Sequence, residues 1–331
     1  MILTYKVKHN QDFSKELSIA KKIADFAIQN RDKLSSKYVT HLGLKSAIAN
    51  QILRKYGRNY KAKKVNSVKL IVPSQGLRVS NNILNIIPLK LEVPFDKMFE
   101  KINQAEIDNN YVFVSITIKE PQLIQTTNHI GVDLNTTGHC AVMAVKETGK
   151  VYKLGKKANH IHKKYKNIRK LFQKKGLYKI VKKSKNREQR IVKDLNHKIS
   201  RFIVNKAVKE KAEIRLEDLK GIRQTTKSRK SFKYALNSWS YYQLGQFIQY
   251  KALLAGIPVS FIEPAYTSKC CSKCGQLGER NDKSFKCLCG HVENADSNAA
   301  FNIALLSSGI LQLQTERDVC KSHTGEAQMA T

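Results

Sequence analysis

Long apolar stretches are missing from this chain. No run approaches the roughly 20 consecutive apolar residues that a helix needs to cross a bilayer, so no membrane span is expected. The opening segment, Met1-Ile2-Leu3-Thr4-Tyr5-Lys6, alternates and is soon charged, so it does not read as a secretory signal. No internal repeat is visible. Acidic side chains are scarce: 26 Asp and Glu face 60 Lys and Arg, a formal charge of +34. Such a field favours polyanions and works against the compact state unless something neutralises it. DNA or RNA phosphate is the obvious counter-charge. These features predict a cytoplasmic protein that works on nucleic acid and has no membrane partner.

What is present is enough for a real core. The apolar fraction is 41%, and 331 residues leave room for two domains. A strand pattern covers residues 1–8, followed by helical patterns over 15–30 and 42–56. In the first helix Leu17, Ala20, Ile23, Ala24 and Ala27 share one face. Strand patterns resume at 65–72, 82–91 and 111–118. In the last of these Val112, Val114 and Ile116 alternate with Phe113, Ser115 and Thr117. Strand, helices, then strands suggests a small β-barrel or sandwich with a helical insertion. Pro121 and the polar run Gln125-Thr126-Thr127-Asn128 mark a link to the next domain.

A second pattern starts at His129. Residues 129–135 read as a buried strand and 140–145 as its antiparallel partner. From Lys156 to Lys193 sixteen residues are Lys or Arg, with Ile168, Leu171, Phe172, Leu177, Ile180 and Val181 interleaved. That is a basic helical arm, over 156–212 and broken near Gly176. One reading gives it a phosphate-facing side; the other makes it a solvated hairpin. The candidate phosphate contacts on it are Lys163, Lys164, Lys166, Arg169, Lys170, Lys174, Lys175, Lys182 and Lys183. A short strand, Ile214-Arg215-Leu216, leads to Glu217. Further on come a helix over 240–255, a strand over 259–262, a cysteine-rich loop and a helix over 296–306. The tail, 307–331, is polar. Tyr56, Tyr60, Tyr165 and Tyr178 stand in basic surroundings and are open to either base stacking or plain packing.

The cysteines have metal-ligand spacing. Cys271-Ser272-Lys273-Cys274 is a CxxC knuckle, and Cys287-Leu288-Cys289 is a tighter CxC pair followed by Gly290. Four thiolates in two pairs suit one tetrahedral structural zinc, which would hold together a loop with no apolar core of its own. Cys270 and His291 remain open as substitute ligands, and Cys140 and Cys320 stand alone. Without a secretory signal, metal binding is favoured over disulfides.

Three acids stand out by position. Asp133 follows Ile130-Gly131-Val132 inside an apolar strand, where a carboxylate is costly unless a cation or hydrogen bonds compensate it. Glu217 ends a second apolar strand, and Asp296 opens a helix beside the cysteine loop. Taken singly, Asp296 reads equally as a helix cap and Glu217 as a surface acid. Together they fit a site for two Mg²⁺ ions, which take oxygen ligands and lie about 3.5–4 Å apart in such enzymes.

At this point the chain resembles a known family. "IGVDLNTTGHCAVMAV", "IRLEDLKGI", "WSYYQLGQFIQYKALLAGIPVSFIEPAYTSKCCSKCG" and "FKCLCGHVENADSNAAFNIA" occur in that order, between about His129 and Leu306. They resemble the catalytic half of the TnpB/OrfB family of insertion-sequence proteins, RNA-guided DNA nucleases akin to compact type V CRISPR effectors. The resemblance implies an α/β RNase H-like (RuvC) nuclease core over 126–306, with a zinc ribbon inserted at 266–292. It implies an N-terminal wedge domain over 1–125, built from strands in 1–10 and 62–120, with a helical recognition insert at about 11–61. Asp133, Glu217 and Asp296 match the catalytic, Mg²⁺-binding acids, and Cys271, Cys274, Cys287 and Cys289 match the zinc ligands. Tyr266-Thr267-Ser268 and Asn298-Ala299-Ala300 match flanking signatures.

The implied partners are a guide RNA transcribed from the protein's own locus and double-stranded target DNA carrying a short adjacent motif, bound by a monomer or by a dimer on one RNA. Base pairing would read the sequence, leaving broad phosphate contact to the protein, in keeping with its charge. The N-terminal part is short for the family. Lys283 stands where relatives often carry Arg, a nucleic-acid contact that keeps its charge without the bidentate fork. Alternatives are a guided binder with weak or no cleavage, and an unguided RuvC-like nuclease or transposase accessory protein.

Overall fold

The structure is a computed structural model and describes residues 1–135, 138–219, 241–262 and 267–306. Trp239, Ser240, Tyr266, Cys320 and the tail from 307 lie outside the described residues. The chain divides into two compact units, Met1–Glu120 and a second that begins at Pro121. Among the described residues no helix is long and apolar enough to cross a membrane.

In the first unit, β1 (Ile2–Lys8) is followed by α1 (Ser14–Gln29) and α2 (Ser46–Gly57). Then come β2 (Leu70–Pro73), β3 (Leu77–Ser80), β4 (Ile83–Ile86), β5 (Leu91–Pro94), β6 (Lys101–Ile107) and β7 (Tyr111–Thr117). β1, β7, β6 and β2 form one antiparallel sheet, and β3, β4 and β5 a second. The alternation in β7 turns Val112, Val114 and Ile116 into a core shared with Ile23 and Ala24 of α1 and with Ile48, Ile52 and Leu53 of α2.

Two expectations need correction here. The stretch 82–91 is not one strand: a 3₁₀ turn at Ile87–Leu89, with Pro88 inside it, divides β4 from β5. Pro88 has no N–H for a ladder bond. The second helix starts at Ser46 rather than near 42, because 3₁₀ turns occupy Ser36–Tyr38 and Thr40–Leu42 and Gly43 is left-handed (φ 77°).

The second unit is an α/β layer structure. β8 (Asn128–Leu134), β9 (Ala141–Val145) and β10 (Lys150–Leu154) form an antiparallel meander. The basic hairpin of α3 (Lys156–Lys174) and α4 (Tyr178–Glu210) follows, turning at Gly176 (φ 68°). β11 (Ala212–Glu217) returns parallel to β8, and β12 (Val259–Ile262) is parallel to β11, preceded by α5 (Tyr241–Leu254). The strand order β10-β9-β8-β11-β12 is that of an RNase H-like core. Three short strands, β13 (Glu279–Asn281), β14 (Ser284–Lys286) and β15 (Val292–Asn294), make a small antiparallel sheet before the last helix, α6 (Ala295–Leu305).

The two faces of the large sheet are covered differently. Ile130, Val132 and Leu134 of β8 and Ile214 and Leu216 of β11 pack with Ile199, Ile203 and Ala207 of α4 and Leu244, Ile248 and Ala252 of α5. On the other face α6 presses so closely that a Cβ on Gly131 would lie 2.0 Å from the Ala300 carbonyl and 2.4 Å from the Ala304 nitrogen. Period-two alternation therefore sends Asp133, two residues after Gly131, to the α6 side, and Glu217, two after Arg215, to the same side. Arg215 confirms that orientation: its guanidinium donates to the carbonyls of Ala304 (2.8 Å) and Leu306 (2.5 Å) at the end of α6.

Candidate active site and metal centre

Register brings two of the acids together. β8 and β11 run parallel, with Arg215 opposite Gly131 and Leu216 opposite Val132. The next residue on each strand is Asp133 and Glu217, side by side where the paired stretch ends. Asp296 enters from α6, in the helix's first turn and on the same sheet face. Asn294 caps this helix by accepting from the Ser297 N–H (3.3 Å), so Asp296 is not the N-cap.

The acids stand in a desolvated, mutually repelling cluster. Asp133 is 8% exposed. Burial, then the charges of Glu217 and Asp296, push its carboxyl up to about 8, against a lowering hydrogen bond from Asn135 Nδ2 (2.8 Å). Burial also raises Glu217, opposed by the Thr267 hydroxyl, which donates to Glu217 Oε1 (2.7 Å), and by Arg280. Asp296 is 4% exposed. Its Oδ2 accepts from Lys283 Nζ at 2.6 Å, while Oδ1 has no hydrogen-bond partner and lies 3.5 Å from Arg280 Nη2. Buried carboxylates in such surroundings call for cationic charge. Divalent cations with oxygen ligands would supply it, and the orphaned Asp296 Oδ1 is a ready ligand atom.

The cysteine loop makes a different kind of site. Among the described residues Cys271, Cys274, Cys287 and Cys289 are the one group of potential ligands whose donor atoms all lie within 4.8 Å of one another. The Cys271–Cys289 and Cys274–Cys287 sulfur pairs are 3.7 and 3.5 Å apart. A tetrahedron with Zn–S bonds of about 2.3 Å has edges of about 3.8 Å, so the cluster is compatible with zinc. Each knuckle closes on a left-handed glycine: Gly275 N–H donates to the Cys271 carbonyl (2.9 Å) and Gly290 N–H to that of Cys287 (3.0 Å). Neither proposed substitute joins the group: His291 Nδ1 lies 3.2 Å from Cys271 Sγ as a neighbour, and the Cys270 carbonyl accepts from Asn298 and Asn302. The loop also has an apolar core, contrary to expectation. Phe285 of β14 is fully buried against Cys271 and Ala295.

Several residues that connect the two sites escape a reading based on acids and cysteines. Asn298 Nδ2 donates to the Cys270 carbonyl (2.7 Å), and its Oδ1 accepts from Ser272 N–H (2.9 Å). Asn302 Nδ2 donates to the carbonyls of Thr267 and Cys270, both at 2.7 Å. The helix that carries Asp296 thus anchors the cysteine loop. The sequence signal is a pair of Asn residues four apart on the helix whose first turn holds Asp296.

Of the ten candidate phosphate contacts, Lys163, Lys164, Lys166, Lys170, Lys174, Lys175, Lys182 and Lys183 are exposed on α3 and α4. Two are differently placed. Arg169 pairs with buried Glu188, which also meets His162 Nδ1 at 2.7 Å. Burial would raise Glu188, but the hydrogen bonds from His162 and Arg169 and the Arg169 charge outweigh it and hold it below its ordinary value. Arg169 therefore staples α3 to α4 rather than facing outward. Lys283 points at Asp296, because Asn294 and Ala295 hold its carbonyl beside the start of α6. Tyr165 is buried.

The sheet order, with acids at the ends of adjacent parallel strands, defines an RNase H-like α/β domain. Comparison with known proteins narrows this. Residues 241–303 match the family model "Cas12f1-like, TNB domain". The chain is 33% identical over 243 residues to a TnpB-like protein of Methanocaldococcus jannaschii, covering 72% of this chain and 80% of that one. It is 46% identical over 115 residues to the CRISPR-associated endodeoxyribonuclease Cas12f1 of Sulfoacidibacillus thermotolerans, covering 33% of this chain and 26% of that one. A cryo-EM structure of a Cas12f1–sgRNA–target DNA complex aligns over 92% of this chain and 99% of that one, at 20% identity and a TM-score of 0.46. The chain belongs to the TnpB-like family.

Proposed function

We propose that this protein is an RNA-guided DNA endonuclease whose reaction centre is Asp133, Glu217 and Asp296. The observation that carries the reading is their convergence, two acids from adjacent parallel strand ends and one from the helix over them, in a setting where burial and the neighbouring carboxylates disfavour the Asp133 charge. Relatives named as CRISPR-associated endodeoxyribonucleases and as TnpB-like proteins support it. The chain spans only about a quarter of those nucleases, so guide and target use belong to the proposal.

The three carboxylates would hold two Mg²⁺ ions, which supply activation of the attacking water and stabilisation of the leaving oxygen. Asn135 and Thr267 orient the carboxylates of Asp133 and Glu217 through their hydrogen bonds. Lys283 and Arg280 add positive charge beside Asp296, suited to a scissile phosphate. Cys271, Cys274, Cys287 and Cys289 would bind one structural zinc.

In this reading residues 1–125 form the wedge domain, with the recognition insert at about 11–61. Residues 126–306 form the RuvC-like domain, with the arm at 156–212 laid along phosphate and the ribbon at 266–292. The partners are a guide RNA from the protein's own locus and double-stranded DNA beside a short motif.

The test is to purify the protein with RNA transcribed from its locus, sequence that RNA, and challenge a plasmid library with randomised target flanks in Mg²⁺. Cleavage restricted to guide-matched targets with one shared flank is expected. Cleavage indifferent to the RNA would leave an unguided nuclease, and binding without cleavage a guided binder.

A further inference from the structure

A second site stands on the opposite side of the large sheet from the acids. A pocket of about 540 Å³ opens between α4 and α5, lined by His197, Lys198, Arg201, Phe202, Asn205, Tyr250 and Lys251. Its volume lies within the range of small-ligand sites. Of its wall cations, Lys198 is paired with Asp194 of the same helix (2.7 Å).

The most unusual member is Lys251, only 4% exposed. Its ammonium donates to the His197 carbonyl (2.7 Å) and to Ser200 Oγ (2.6 Å), both neutral acceptors. No carboxylate among the described residues pairs with Lys251 or with Arg201. Two neighbouring cations, one of them buried, are costly without a counter-charge. An ammonium has three N–H groups, so one remains for an outside acceptor.

Beside the cations is a fixed aromatic surface. His197 stacks on Phe247 with centroids 4.0 Å apart and planes at 15°. Phe247 in turn meets Tyr250 edge-on, at 5.9 Å and 84°. Tyr250 therefore presents its ring to the pocket without having to be ordered first.

We propose that this pocket seats one unpaired nucleotide of a single-stranded nucleic acid, its phosphate on Arg201 and Lys251 and its base against Tyr250. The site is remote from the reaction centre and does not depend on the chain being a nuclease. It would pin one strand against the outer helix layer. A base paired inside a duplex does not present its face to such a pocket, so duplexes are excluded from it.

The probe is a short single-stranded RNA bearing 5-iodouridine, bound to the full chain and irradiated, with a DNA of the same sequence in parallel to identify the polymer. Crosslinked peptides are mapped by mass spectrometry. A crosslink at Tyr250 or Phe202 is expected, lost in Arg201→Glu while crosslinks elsewhere persist. Tyr250→Ala should weaken single-strand binding about tenfold, as loss of one stacked base does. Excess adenosine 5′-monophosphate should compete at this crosslink better than inorganic phosphate. The proposal is overturned if the pocket stays uncrosslinked while other surfaces react, if Arg201→Glu leaves the yield unchanged, or if inorganic phosphate competes equally.

Discussion

Lys283 holds Asp296: its ammonium donates to Asp296 Oδ2 at 2.6 Å, from the turn between β13 and β14 to the first turn of α6. The residue that would carry the third acid of the site is thus tied to the cysteine-rich hairpin. Any divalent cation arriving at Asp296 meets a positive competitor. Lys283→Ala should therefore bind Mn²⁺ more tightly than the wild type, by roughly fivefold if the pair is worth about 1 kcal/mol. Titration calorimetry on the nucleic-acid-free protein measures this. Unchanged or weaker binding would show that Lys283 does not compete with the metal.

The hairpin depends on its thiolates as well as on Phe285. Cys271→Ser should lose the single zinc expected per chain, as read by elemental analysis. Limited proteolysis should then cut between residues 267 and 294. Wild-type protein that is folded and free of zinc would dismiss the structural metal.

Close packing of α6 on β8 is what aims Asp133 and Asp296 at each other. Gly131→Val puts side-chain atoms where the Ala300 carbonyl and Ala304 nitrogen already stand. Because the obstacles are backbone, relief requires moving the helix, and overpacking typically costs about 1–3 kcal/mol or more. The melting temperature should fall by several degrees. A variant as stable as wild type would mean that α6 is not seated as described.

Lys251 gives a pH signature. Burial, with Arg201 nearby, lowers its ammonium from 10.5 to about 8. The unfolded chain keeps the proton up to the ordinary value, so between about pH 8 and 10.5 the unfolded state binds more protons and stability rises with pH. Below pH 8 both states are protonated and the burial cost is felt in full, up to roughly 3 kcal/mol at 1.36 kcal/mol per pH unit. Wild type should gain stability relative to Lys251→Met as pH rises from 7 to 10, in denaturant titrations. A pH-independent difference would mean that the folded protein holds the Lys251 ammonium as readily as the unfolded chain does, and that burial does not desolvate it.

Much of this architecture is legible in the sequence, and the failures have physical causes. The alternation at Val112, Val114 and Ile116 and the apolar run before Asp133 are direct readouts of burial. β6 and β10 were not visible, because in β6 only Ala105 and Ile107 are fully buried and β10 has no fully buried residue. Asp133 stands out by interrupting an apolar strand, whereas Glu217, at the end of β11, reads equally as a surface acid until the other acids are set beside it. Thr267, Asn298 and Asn302 act through hydrogen bonds to partners dozens of residues away, so the sequence places them near the site without showing what they hold. Arg169 illustrates the opposite error: within a run of like charges, nothing local marks the one cation that a buried Glu188 has claimed.

Asp133, between the two other acids, is the residue whose loss should separate cleavage from binding. Wild type and Asp133→Ala, each purified with RNA from the protein's own locus, are assayed on a guide-matched plasmid in Mg²⁺, with binding measured alongside cleavage. If the three acids form the reaction centre, both proteins bind the target within a few-fold of each other. Cleavage by the variant then falls by a factor of about a thousand or more, a barrier increase of roughly 4 kcal/mol. Cleavage by Asp133→Ala at the wild-type rate would contradict a reaction centre built on these acids.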